Sequence, residues 1–157
     1  MVHYYSSENI RRKVKAAIGV LLQKDSFLLD RRVNERSISH KLGEYLQAEF
    51  KEWNVDCEYN RISIDVKKIE GIRECDEHRK TDRVLPDIII HLRNTNTNIL
   101  VVELNKENLN PECDIMKLKL FTDTKGDYRY SLGLFIQFDG TSYPQLTWFK
   151  NGNTLGS

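Results

Sequence analysis

The sequence predicts an α/β or α+β domain in which a mixed β-sheet is flanked by helices. Apolar residues recur with helical spacing in two segments near the N-terminus. Two apolar segments, "PDIIIHL" and "NILVVEL", are typical of neighbouring strands joined by the polar turn "RNTNTN". A third helical segment separates them from two more strand-like segments. The predicted order is therefore α-α-β-β-β-α-β-β.

Two helices are predicted at the N-terminal end. The first extends from Ser7, a suitable N-cap, to about Gln23, with its apolar residues on one face. The short apolar segment "FLL" follows it. The second begins after Asn34, which can also cap a helix, and extends to about Trp53.

The remaining elements are predicted from alternation and turn residues. "NVDCEYNR" is predicted as the first strand, and the alternation at 62–66 predicts a strand end before the charged loop "KKIEGIRECDEHRKTDR". Pro86 suits the first residue of a strand because it cannot donate a ladder hydrogen bond. "NPECDIMKLKLFTD" is predicted as a helix with Asn110 as cap and Pro111 at its first position. "YRYSLGLFIQFDG" and "YPQLTWFK" are the last two predicted strands.

Length and composition indicate an ordinary globular protein. The chain has 157 residues, 39% of them hydrophobic and 30% charged, with a formal net charge of +1. We expect a helical extension (residues 1–33) packed on a core domain (residues 34–157). The balanced charge does not exclude a nucleic-acid partner, because such a protein needs a basic surface on one side only.

The cysteines and the absence of a long apolar segment predict a cytoplasmic location. The three cysteines are widely spaced and form no CxxC or Cys/His pair, so we expect reduced thiols, without a disulfide framework or a zinc site. No segment approaches the roughly 18 apolar residues that a membrane span needs. We expect no contact with a membrane.

Asp87 and Glu103 stand out as acids inside the two best strands. If these strands form an antiparallel hairpin around residues 93–97, pairing Leu92 with Asn98 places Asp87 opposite Glu103. Directly opposed side chains have Cβ atoms about 4.5–5.5 Å apart. Two carboxylates at that distance repel each other unless a cation lies between them or one is protonated. Carboxylate oxygens are ligands that Mg²⁺ and Mn²⁺ prefer, so the pattern predicts a metal site.

A purely structural interpretation of the two acids, without a metal, is the alternative. Acids at strand ends are usually solvated or paired with Lys or Arg. The apolar residues Ile89, Ile99 and Val101 share the face of the two acids, which favours the metal site over solvation.

The residues around these acids resemble a known superfamily. Pro86-Asp87, followed sixteen residues later by Glu103 in "VVELNK", resembles the PD-(D/E)XK nuclease signature. The segments "ERSISHKL", "CEYNR" and "PDIIIH" are similar to the "ER…H" helix, "EYNR" strand and "PDIIVH" strand of a group of small bacterial restriction-endonuclease-like members. The likeness covers about residues 34–140. It implies a restriction-endonuclease-like core with the order α-β-β-β-α-β.

The resemblance implies roles for particular residues. Asp87 and Glu103 would be metal ligands, and Glu35, in the first turn of the second helix, would be the helical acid that holds water at the metal. Glu44 is the competing choice for this role. The two glutamates lie about 13 Å apart along the helix axis, so only one of them can reach the metal.

The motif lysine is where the sequence departs from the superfamily. Its position, two residues after Glu103, is occupied by Asn105. Lys106 points to the opposite face of a regular strand and can serve only if the strand bulges or ends there. Otherwise Lys117 on the following helix supplies the lysine, or Asn105 replaces it as a neutral hydrogen-bonding group. The lysine would orient the attacking water and stabilise developing negative charge.

Further candidates would contact nucleic acid. His91 lies on the Asp87 face of its strand, and Glu58 and Arg61 lie in the "EYNR" segment. Arg can bind phosphate with two hydrogen bonds. A core or edge histidine, and a structural pairing of Glu58 with Arg61 or a lysine, are the alternatives.

The resemblance implies a Mg²⁺- or Mn²⁺-dependent endonuclease that hydrolyses phosphodiester bonds in nucleic acid. DNA is favoured over RNA as the substrate, and many relatives are homodimers. Because Asn105 occupies the motif lysine position, a nuclease fold that no longer cuts and acts as a nucleic-acid-binding or interaction module is the alternative. A structural domain whose acids are salt-bridged is the third interpretation.

Overall fold

The computed structural model of the chain describes residues 5–31, 35–59, 64–65, 83–105 and 111–156. The helices in these ranges are α1 (Ser7–Lys24), α2 (Ser26–Arg31), α3 (Glu35–Glu49) and α4 (Glu112–Thr122). The strands are β1 (Asn54–Cys57), β2 (Ile64–Asp65), β3 (Arg83–Val84), β4 (Ile88–His91), β5 (Asn98–Leu104), β6 (Leu132–Gln137), β7 (Gln145–Lys150) and β8 (Asn153–Gly156).

Six of these strands form one mixed sheet, which confirms the predicted α/β class. Their order is β1-β4-β5-β6-β7-β8, whereas β2 and β3 form a separate two-stranded ribbon. The β5–β6 pair is parallel, and the neighbouring pairs are antiparallel. Parallel neighbours need a crossover connection, and α4 supplies it between β5 and β6.

The two faces of the sheet are covered by different helices. One face packs against α1 and α3 through even-numbered strand residues such as Ile88, Leu100 and Val102. The other face packs against α4 through Ile89, Val101 and Phe135, among others. Buried residues of α1 belong to the same core as those of α3, so the predicted extension contributes to the core of the sheet.

The N-terminal helices differ from the predictions at their ends. Ser6 rather than Ser7 caps α1, because its hydroxyl accepts a hydrogen bond from the Asn9 N–H. The "FLL" segment belongs to α2. Helix α3 ends at Glu49, before the predicted Trp53, because the Gln47 amide donates to the carbonyls of Phe50 and Trp53 and stabilises a turn there. The predicted cap Asn34 lies outside the described residues.

The C-terminal half also departs from the prediction in one element. Strand β8 was not predicted, although the dipeptide Asn151-Gly152 that precedes it is a strong hairpin signal. Both residues have positive φ, 54° and 77°, which a tight two-residue turn requires. Helix α4 confirms the third predicted helix, with Pro111 immediately before it, whereas Asn110 lies outside the described residues.

The cysteines are not all reduced. Cys113 is disulfide-bonded, so the expectation of three reduced cysteines is wrong at this position. Cys57 has a free thiol. None of the helices described in the structure is long and apolar enough to cross a membrane.

Candidate functional site

The register of β4 and β5 brings Asp87 next to Glu103. Ile88 pairs with Val102 in an antiparallel ladder. Continuing this register by one residue places Asp87, immediately before β4, opposite Glu103 near the end of β5. Both acids therefore lie at the same end of two adjacent strands, as the sequence predicts.

The predicted pairing nearer the turn is wrong. Asn98 pairs with His91 rather than with Leu92, and a bulge lies between Ile90 and His91. The pairing at His91 is shifted by one residue relative to the prediction. The bulge adds an extra residue on one strand, so the pairs from Ile90 onward have the predicted register. Asp87 consequently keeps the predicted position opposite Glu103 although the turn is paired differently.

Backbone contacts on both sides fix Asp87. Its Oδ2 accepts a hydrogen bond of 2.9 Å from the Leu104 N–H, at the end of β5. Its carbonyl accepts one of 3.1 Å from the Glu58 N–H, just beyond β1. Asp87 is buried, with 8% of its surface exposed. Asp87 is thus tied by its carboxylate to the end of β5 and by its backbone carbonyl to the residue after β1.

A cleft of about 220 Å³ opens beside Asp87. Its wall includes Glu35 and Ser39 of α3, Glu58 and Leu104, together with Arg36, which forms a 3.7 Å ion pair with Glu58. Ion pairs this exposed contribute little to stability, so breaking this pair in favour of an anionic ligand costs little. Glu35 thus shares a cleft with Asp87.

Glu44, the competing helical acid, has a different environment. It lies 3.0 Å from His40 Nε2 and forms an ion pair with Lys41 (3.5 Å) on the surface of α3. It is not among the residues that line the cleft beside Asp87. This placement favours Glu35 over Glu44 as the helical acid of the site.

Glu103 and Lys117 form a buried ion pair. The Lys117 Nζ lies 3.0 Å from Glu103 Oε1 and 3.4 Å from Asp114 Oδ1, one turn earlier in α4. Glu103 is 0% and Lys117 2% exposed. Of the alternatives for the missing motif lysine, Lys117 is therefore the one seen beside Glu103. Lys106 lies outside the described residues.

Asn105 extends the pairing of β5 with β6 through its side chain. Its Nδ2 donates to the Phe138 carbonyl at 3.3 Å, and its Oδ1 accepts from the Phe138 N–H at 2.9 Å. Its own N–H donates to the Ile136 carbonyl. These contacts give Asn105 a structural role at the end of the sheet.

Replacing Asn105 with Lys, which restores the motif spacing, is expected to lower the free energy of unfolding by about 1–3 kcal/mol. The lysine cannot reproduce the pair of hydrogen bonds to the backbone of Phe138, and each of these bonds would be lost. Chemical denaturation of both proteins measures the difference. An unchanged unfolding midpoint would contradict the structural role of Asn105.

His91 lies at the other end of β4, in a separate polar cluster. Its Nε2 is 2.6 Å from Asp56 Oδ2, and Asp56 also accepts hydrogen bonds from Arg93. The Tyr59 ring meets the His91 ring edge-on, with centroids 4.9 Å apart. His91 is thus a buried histidine with a carboxylate partner. The other predicted contact, Arg61, lies outside the described residues.

The Asp56 carboxylate is predicted to make folding pH-dependent. Burial acts to raise its pKa, but hydrogen bonds from Arg93 and His91 outweigh burial and lower the pKa below the ordinary 3.8. The stabilisation is therefore fully present above about pH 4 and is lost as the pH falls through the lowered pKa. We expect the difference in unfolding free energy between wild type and Asp56→Asn to shrink as the pH falls below about 4. The exposed Asp139→Asn substitution is the control; an equal pH response in both variants would contradict this assignment.

Three residues of these clusters, Asp56, Arg93 and Asp114, were not predicted from the sequence. Asp114 precedes Lys117 by three positions, a spacing that puts both on one helix face. Asp56 lies on the adjacent strand β1, two positions after Asn54, the residue that pairs with His91. Among the described residues, no three His, Cys, Asp or Glu side chains form a group that could hold a metal ion.

In comparisons with known proteins, no protein-family model matches the chain, and no curated protein gives a significant match.

Proposed function

We propose that this protein is a metal-dependent nuclease of restriction-endonuclease-like fold that hydrolyses phosphodiester bonds in nucleic acid, with DNA as the favoured substrate. The observation that carries the proposal is the position of Asp87 opposite Glu103, with a buried lysine 3.0 Å from the glutamate. An acid pair with an adjacent lysine is the set of groups that this chemistry uses.

The donor chemistry fits Mg²⁺ or Mn²⁺. Mg²⁺ is usually held by one or two carboxylates, and waters and substrate phosphates complete its coordination. Asp87 and Glu103 supply two carboxylates, so a third acidic ligand is not required. A bound ion would supply positive charge to a phosphoryl oxygen.

The remaining residues act around the scissile phosphate. Lys117 supplies a cation, which stabilises the negative charge that develops as water attacks phosphorus. Glu35, which shares the cleft with Asp87, accepts a hydrogen bond from the attacking water and orients it. Arg36 on the rim attracts the phosphate backbone.

A nucleic-acid-binding module that does not cut is the second candidate. The complete burial of Glu103 and its ion pair with Lys117 favour it, because a metal must compete with an ammonium group that is already in place. In this case the cleft would bind the backbone through Arg36 without hydrolysis.

Cleavage of mixed single- and double-stranded DNA and RNA with Mg²⁺ or Mn²⁺ tests the proposal. We expect wild-type cleavage that EDTA abolishes and that Glu103→Gln reduces by about 10²-fold or more, since a metal contributes several kcal/mol to charge stabilisation. Glu8→Gln, an exposed substitution on α1, is the matched control. Undiminished cleavage by Glu103→Gln would refute the role of Glu103. If wild type binds nucleic acid but does not cleave it, the result would favour the non-cutting binding module.

A further inference from the structure

A second cleft, of about 220 Å³, lies at the opposite end of β4 from Asp87. It is smaller than the roughly 300–1,000 Å³ of pockets that hold drug-sized ligands, so it suits a group of one or two rings. His91 lines it, and four residues of strand separate His91 from Asp87, a distance of about 13 Å. A nucleic-acid strand bound at Asp87 could therefore also reach this cleft.

Three rings of fixed orientation line the cleft. His91 is held by Asp56 and meets the Tyr59 ring at 61°. Tyr128 packs against the buried Phe121 ring at a centroid distance of 5.4 Å. Aromatic side chains that are already ordered can stack on a base without losing much conformational freedom.

The polar lining suits a base edge better than a phosphate. Asn94 and Asn96, on the exposed turn, present amide groups, which can both donate and accept hydrogen bonds. No lysine or arginine is among the described residues that line the cleft, whereas Asp127 is, and its carboxylate would repel a phosphate. Neutral amides beside aromatic rings match the hydrogen-bonding edge and π-face of a nucleobase.

Asn98 contributes a hydrogen-bonded side chain to the wall of the cleft. Its Nδ2 donates to the Tyr128 carbonyl at 2.7 Å, which fixes the orientation of the amide. Its Oδ1 is buried and accepts no hydrogen bond within the part of the chain that the structure describes. The hydrogen bond to the Tyr128 carbonyl therefore keeps that part of the cleft wall ordered before a ligand binds.

We propose that the cleft between Tyr59, His91 and the 94–98 turn binds an unpaired nucleobase, so that this protein prefers single-stranded or unpaired segments of nucleic acid. The inference rests on the proposed nucleic-acid function and defines its substrate class. A base inside a duplex is stacked and paired, and it can enter such a cleft only after it leaves the helix.

Fluorescence anisotropy with a labelled 12-nucleotide single strand, compared with the 12-base-pair duplex of the same sequence, tests this inference. Measurements on the full chain in EDTA report binding without cleavage. We expect the single strand to bind more tightly than the duplex. Tyr59→Leu should weaken single-strand binding about 5- to 100-fold, the loss expected for one stacked base. Asn96→Ala, on the exposed turn, should weaken it about 2- to 10-fold through one lost hydrogen bond.

Tyr143→Leu is the matched control, because Tyr143 is 52% exposed and lies outside the cleft. Equal single-strand affinity in wild type, Tyr59→Leu and Asn96→Ala would overturn the inference, as would a preference for the duplex or no binding by wild type. Asp87-dependent cleavage together with unchanged affinity of Tyr59→Leu would overturn the base cleft alone. Tyr59-dependent binding without any cleavage would support the cleft and overturn the proposed hydrolysis.

Discussion

Replacing Asp87 with Asn is expected to reduce metal-dependent cleavage by about 10³-fold while the protein stays folded. Asparagine keeps a carbonyl oxygen that can accept the hydrogen bond from the Leu104 N–H, so the end of β5 keeps its contact. It removes the negative charge, and a divalent cation loses a carboxylate ligand whose effect is worth several kcal/mol. Cleavage rates at saturating Mg²⁺ and Mn²⁺ measure the loss.

Asp139→Asn is the control for this substitution, because Asp139 is exposed and lies outside the cleft beside Asp87. Thermal unfolding of both variants shows whether the fold survives. Undiminished cleavage by a folded Asp87→Asn protein would remove Asp87 from the site.

Replacing Lys117 with Met is expected to lower the free energy of unfolding by about 3–5 kcal/mol. The substitution keeps an apolar stem of similar length but leaves Glu103, which is 0% exposed, without its ammonium partner. Breaking a buried ion pair from one side carries this cost because the remaining buried charge loses a compensating charge. Urea denaturation followed by circular dichroism measures the change.

The double substitution Lys117→Met with Glu103→Leu distinguishes two causes of the destabilisation: the loss of the charge that pairs with Glu103, and the loss of packing at position 117. Replacing both members of a buried pair by apolar groups is often neutral, so we expect the double variant to recover part of the lost stability, since Asp114 still loses its contact with Lys117. If the double variant is as unstable as Lys117→Met, packing rather than the ion pair explains the loss.

Much of the sheet could be predicted because its signals are local. Continuous apolar segments flanked by turn residues identify β4 and β5, and the polar turn between them makes an antiparallel hairpin the simplest pairing. The position of Asp87 opposite Glu103 follows from that hairpin even though a bulge shifts the pairing at His91. The sequence thereby predicts which acids meet.

The partners of the predicted site residues could not be read from local patterns. Lys117 reaches Glu103 only because the β5-α4-β6 crossover places α4 over one face of the sheet. The sequence is compatible with this contact, and it is equally compatible with Lys106 as the lysine beside Glu103. The hydrogen bonds of Asn105 to Phe138 likewise depend on the parallel pairing of two strands that are distant in the chain.

Two other departures have causes that the sequence pattern does not reveal. Helix α3 stops early because a single side chain, Gln47, binds the carbonyls that follow it. The disulfide of Cys113 depends on tertiary proximity, which cysteine spacing does not reveal. The expected cytoplasmic location therefore loses its support from reduced cysteines.

Titration calorimetry with Mn²⁺ on wild type, Asp87→Asn and Glu103→Gln tests most directly whether these two carboxylates hold a divalent cation. We expect wild type to bind Mn²⁺ at one site, and each single substitution to weaken that binding about tenfold or more, which corresponds to about 1.4 kcal/mol. Asp139→Asn should bind as wild type does. No Mn²⁺ binding by wild type at millimolar concentration, or equal affinity in all four proteins, would contradict the metal site.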